Sequence, residues 1–255
     1  MSDSAVQPVA EPVPGPGLSQ IQRVIYTFTS PSRTFNDIKA GHRSWWLPFL
    51  ITVLVSYLFF AAVYTKIGMR QASENVIHLD AKQEARFADM DPGQREMAMK
   101  WTVYITEGAF LAAPVFVLIG IALLSLGLWG TINFAFGGKA TYGSIFCSWM
   151  YAGLPGAIKA ILGVIVIFAG TAPESFNLKN YAPTNFASFL NPLETNKAVY
   201  TLLTSLDVIT IWSLVLLAIG AATVAGVKKG PGYISVFGWW ILFVLIGVGA
   251  AAVMG

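Results

Sequence analysis

The sequence predicts an all-α polytopic membrane protein: five transmembrane helices preceded by an N-terminal amphipathic interfacial helix. Three observations predict it. The 255 residues are 55% hydrophobic and only 11% charged, against roughly 25% charged in soluble domains. Several apolar runs reach the ~20 residues that cross a hydrocarbon core of ~30 Å. Eight Trp, nine Tyr and seventeen Phe suit a chain with two membrane interfaces to furnish with aromatics. The net charge of +3 is too small to argue for nucleic acid. The single cysteine, Cys147, excludes an internal disulfide and a multi-cysteine metal site.

Residues 1–17 hold Pro8, Pro12, Pro14 and Pro16 and bury nothing, so they read as a disordered tail. No basic stretch precedes an apolar core there, so the tail is not a signal peptide and the first span serves as the targeting signal. No lipidation motif is present. Residues 18–44 form amphipathic and juxtamembrane helices, and 45–255 the membrane domain. Leu18, Ile21, Val24, Ile25 and Phe28 recur at helical spacing, which predicts a helix lying on the membrane. Ser30 then reads as a cap, Pro31 as a first helical position and Gly41 as a stop. Phe35 and Ile38 give that second short helix a small apolar edge.

The spans are predicted at about 45–65, 107–134, 142–170, 199–227 and 233–254. Trp45, Trp46 and Tyr64 anchor the ends of the first. Between the first and second spans, residues 80–90 have helix-forming composition, and Asp91-Pro92 starts a helix that runs into the second span. Pro114 is a kink point in that span. The link GGKATYG, 137–143, is a tight turn. The third span holds Pro155 and Lys159: the proline removes a backbone donor and breaks or kinks the helix, and the lysine is costly at that depth unless paired or hydrated. The segment 171–198, with three prolines and five asparagines, is predicted to be a surface or re-entrant loop, with Phe186, Phe189 and Leu190 dipping into the interface. Asp207 sits about two turns into the fourth span, which also carries a face of small residues for close packing. The fifth span is uncharged.

An odd number of spans puts the termini on opposite sides. With the N-terminus inside, the inner side carries Arg23, Arg33, Lys39, Arg43, Lys139, Lys228 and Lys229. The inner loops are short and purely basic, and short loops are where the charge rule has force. The N-terminus is therefore expected to be cytoplasmic.

The order of these pieces resembles the Yip (Ypt/Rab-interacting protein) domain family, in its bacterial integral membrane form. The resemblance rests on VIYTFTSPSRTFNDIKAGHRSWWLPFL, on GGKATYGSIFCSWMYAGLP with Tyr151, Leu154 and Pro155, and on LDVITIWSLVLLAIGAATVAGV with Asp207 and Trp212. It implies a five-helix integral membrane protein, N-terminus cytoplasmic, in the bacterial inner (plasma) membrane. Eukaryotic members act in vesicle traffic and contact Rab-type GTPases. Their Asp-Leu-Tyr-Gly-Pro motif is absent here, HRSWWLP standing near its place, so GTPase binding is not carried over. The family supplies no catalytic residues.

The sequence has no Walker-type phosphate loop and no HExxH motif. His42 and His78 lie outside the apolar runs. An enzyme, a cofactor and a metal site are therefore not expected. The expected function is non-enzymatic: membrane organisation, or binding of membrane-protein partners or of a second copy, with the lipid bilayer as environment. The alternative is a small transporter or channel component with its polar point at Lys159 and Asp207. At 1.5 Å per residue both fall in the outer half of the bilayer at similar depth, so they form a candidate intramembrane pair.

Overall fold

The computed structural model describes residues 16–254; the expected tail lies outside them up to residue 15. Leu18 N already donates to Asp37 Oδ1 at 3.0 Å, and Gly17 lies so close to the His42 ring that a β-carbon there would overlap it. The folded region therefore includes residues 17 and 18.

α1 (Gln20–Thr29) opens with a reciprocal cap: Ser19 Oγ accepts from Gln22 N, and Gln22 Oε1 accepts from Ser19 N. α2 (Pro31–Lys39) starts on the proline and is followed by Gly41 at φ 110°. α3 (Trp46–Ala62) runs on through a π-turn, Val63–Ile67, and stops at Gly68, φ 82°. Two short helices follow, α4 (Met69–His78) and α5 (Ala81–Ala88). α6 (Pro92–Gly130) is capped by Asp91 on Gln94 N, continues through Pro114 and ends in a π-turn, Thr131–Ala135. Its 39 residues amount to about 58 Å, well beyond a hydrocarbon core. Then come α7 (Tyr142–Ala152), α8 (Pro155–Phe168), α9 (Lys197–Ser205), α10 (Val208–Ala225) and α11 (Lys229–Met254). No strand occurs among the described residues, only one isolated bridge, Asn185 to Asp207. Five helical stretches are long and apolar enough to cross a membrane: Trp46–Ile67, Pro92–Ala135, Tyr142–Phe168, Val208–Ala225 and Lys229–Val253.

Two of these differ from the stretches read off the sequence, and the third span breaks where Pro155 was expected to break or kink it. The break falls at Gly153-Leu154, and Pro155 opens α8, where its missing N–H costs nothing. The fourth, expected as one helix over 199–227, is two. α9 ends at Ser205, Leu206 turns the chain, and Asp207 is extended (φ −100°, ψ 125°) with its carboxylate capping α10 at Thr210 N. An aspartate offers amides a better acceptor than a helix interior does, so it ends one helix and starts the next. The fifth begins four residues early, with Pro231 in its first turn.

The core lies in two patches. One joins α2, α7, α10, α11 and the end of α6, with Phe35, Ile38, Tyr151 and Leu217 among its fully buried side chains. Small residues on α10 make this possible: a β-carbon at Gly220 would collide with the Phe35 ring. The other patch joins α3, α4, α8 and the loop after it through Phe59, Val63, Ile167 and Phe176. The α1–α2 hairpin lies along α10. Phe28 meets Trp212 edge-on at 5.6 Å while Phe35 covers Gly220, positions about 12 Å apart along a helix. The apolar face expected to rest on the membrane is thereby divided. Val24 and Phe28 face the core, and Ile21 and Ile25 stay 67% and 52% exposed. The edge formed by Phe35 and Ile38 is the better-buried one. The apolar windows of α6 and α11 are only 11% and 6% buried.

Candidate functional site

Polar side chains gather inside the bundle at two places. At the first, Asp207 is 1% exposed. Its Oδ1 accepts from Thr210 N at 2.9 Å. Its Oδ2 accepts from Lys159 Nζ at 2.9 Å and from the Thr184 hydroxyl. Lys159 comes from the first half of α8, and its Nζ also lies 5.7 Å from the Tyr181 ring centre. The loop over 171–196 supplies Tyr181 and Thr184, and it is tied to this spot by backbone: Val208 N donates to Thr184 O at 2.9 Å. Behind it, Asn180 and Asn185 bond each other, with Tyr200 OH close to Asn180. Burial, with the Asp207 carboxylate nearby, pushes the Tyr181 phenol above its ordinary value.

The arrangement gives one carboxylate three donors, two of them charged or main-chain. Such a group is strongly held as an anion acceptor and has little capacity left to take a proton or a substrate. Two cavities adjoin it. One, of about 680 Å³, lies under the 171–196 loop against Asn75, Tyr181 and Tyr200. Asn75 Nδ2 braces the loop by donating to the Pro173 and Phe176 carbonyls at 2.7 and 2.9 Å. The other, about 180 Å³, sits between the α7–α8 break and α10, bordered by Trp149, Gly156 and Lys159.

The second cluster was not legible as a site in the sequence. Arg23 is buried and pairs through Nε with Asp37 Oδ2 at 2.8 Å, while His42 Nδ1 lies 3.1 Å from Asp37 Oδ1. Arg23 also donates to the His42 and Ser44 carbonyls at 2.9 and 3.1 Å. Tyr151, fully buried, has its hydroxyl 2.7 Å from Gln20 Oε1 and 3.0 Å from Ser44 O. Tyr151 thus tethers α7 to the start of α1 and the approach to α3. Leu154 is buried beside it, and Pro155 starts α8. Cys147 is buried one turn earlier, its Sγ 3.9 Å from Ser44 O. Arg23 and Thr27, both buried, share one helix face at i, i+4; that pattern was the available signal. No group of three His, Cys, Asp or Glu among the described residues could hold a metal ion.

Five membrane-length helices, with a helical hairpin docked at one end, define an integral membrane protein. The Yip1 domain family model matches residues 25–251, most of the chain, and the protein belongs to that family. No curated protein and no solved structure matches it.

Proposed function

We propose that the protein is a non-enzymatic membrane-organising or partner-binding protein of the bacterial inner membrane, with its N-terminus in the cytoplasm. The observation that carries this reading is the exposure of α6 and α11. Their apolar windows are 11% and 6% buried, leaving two long faces for lipid and for other transmembrane helices. The polar residues support it. Asp207 and Lys159 satisfy each other and pin the 171–196 loop to α8 and α10, which is the work of a latch. Photo-crosslinking residues placed at Leu123 and Leu245, 66% and 63% exposed, test it in native membranes. The expected result is a discrete protein adduct, either a second copy or one membrane partner. Lipid adducts alone at both positions would overturn the reading.

The cavity beside Lys159 favours one other reading, a transporter or channel component working through Lys159 and Asp207. That requires water to reach the pair. Thr210→Cys then reacts with a membrane-impermeant thiol reagent under the transport reading and stays unlabelled under the latch reading.

A further inference from the structure

We infer that the end of the bundle carrying the α6–α7 link binds a phosphate group, supplied by an anionic phospholipid headgroup or by a free phosphate. Three cations from two distant parts of the chain line one cleft of about 430 Å³ there: Lys39 at the end of α2 with Arg43 just beyond it, and Lys139 in the link. That volume lies within the ~300–1,000 Å³ typical of ligand sites. None of the three is in an ion pair among the described residues, and Asp37, two residues before Lys39, is already taken by Arg23 and His42. Like charges around one cavity repel, and an anion placed among them removes that repulsion.

The cleft is built from a braced loop. Asn133 grips Ala140 through both backbone groups, accepting from its N–H and donating to its carbonyl at 2.9 Å each. Trp129 Nε1 donates to the same carbonyl at 2.9 Å. Lys139 N donates to Ala225 O at 2.9 Å, tying the link to the end of α10. Gly137 and Gly226, at φ 67° and 70°, make turns that L side chains rarely adopt, and they leave the walls bare. Lys39 Nζ lies 3.6 Å from where a β-carbon on Gly226 would stand. A site held in place this way loses little freedom on binding.

The donors suit phosphate as well as the charges do. α7 starts at the cleft with Thr141 capping Ser144 N. The amides of Tyr142 and Gly143 have no partner inside their helix, and a helix N-terminus favours an anion. Phe134, 81% exposed, and Tyr142, also exposed, flank this end of the molecule, as residues at a lipid interface do.

Thermal unfolding of the purified full-length protein in detergent tests the site, with dioctanoyl phosphatidylglycerol, dioctanoyl phosphatidylcholine and inorganic phosphate as probes. Phosphatidylglycerol should raise Tm in a saturable way and phosphatidylcholine should not. The triple variant Lys39→Gln, Arg43→Gln, Lys139→Gln, all at exposed positions, should keep the unliganded Tm and lose about tenfold or more in apparent affinity. Lys139→Gln alone, a milder change, should show part of that loss if the triple variant folds poorly. Lys228→Gln with Lys229→Gln, outside the cleft, should leave affinity unchanged. If inorganic phosphate reproduces the shift and competes with the lipid, the ligand is a free phosphate; if not, it is the headgroup. Absence of any shift, or an equal loss in the Lys228 and Lys229 variant, would overturn the inference.

Discussion

Asp207 shows how one side chain can serve three elements. Its carboxylate caps α10, pairs with α8 through Lys159 and holds the 171–196 loop through Thr184. Reversing one charge leaves two like charges together in a mostly buried place, a change that costs about 3–5 kcal/mol when a buried pair is broken. Lys159→Asp and Asp207→Lys should each lower the melting temperature in detergent strongly. The double swap should recover part of the loss but not all, because a lysine at 207 cannot cap α10, and a lost cap costs ~1 kcal/mol. A double variant no more stable than the worse single variant would show that the pair contributes nothing. The two charges were legible because a lysine and an aspartate stand out in apolar runs. Thr184 and Asn185 were not, since they come from a segment without periodicity, and only the folded loop brings them there. Arg23 and Asp37 were missed because nothing local in either helix says that the chain folds back at Ser30-Pro31 to face them.

Among the elements, the α1–α2 hairpin depends on one close approach, Phe35 over Gly220. Gly220→Val puts atoms where the ring stands, and overpacking of this kind costs about 1–3 kcal/mol. Cys147 reports the outcome, because it is buried beneath the hairpin's connection to α3, against Ser44 O. Maleimide should label it slowly in the native protein and about tenfold faster or more in Gly220→Val; an unchanged rate would mean the hairpin is held elsewhere. α5 offers a pH test. Burial opposes the charge of Asp80, but amide donation from Gln83 and Lys82, with Lys197 and Lys179 nearby, holds its carboxyl below the ordinary value. A depressed carboxyl contributes stability above its unfolded pKa, and that contribution is lost as pH falls through the folded value. Protection of the first amides of α5 from hydrogen exchange, corrected for the intrinsic rate, should therefore decline below about pH 4, and Asp80→Asn should remove that dependence.

For the whole molecule, the expected topology follows from five spans and basic short loops. Fusions to paired reporters should place the N-terminus, the link at Lys139 and the Lys228-Lys229 turn in the cytoplasm and residue 254 outside; labelling of an N-terminal tag from outside intact cells would reverse this. The sequence by itself determined the class of fold, since length and apolarity suffice to commit a helix to a bilayer whatever its neighbours are. It also marked Pro155 as a break, because a missing amide and a ring clash act within one turn. The capture of the 171–196 loop by Asp207 through Thr184, the docking of α1 and α2 along α10, and the meeting of Lys39 and Arg43 with Lys139 at one cleft were decided only by the tertiary structure. Each depends on groups far apart in the chain being brought together, and helical periodicity carries information about one turn and its neighbours, not about which faces finally meet.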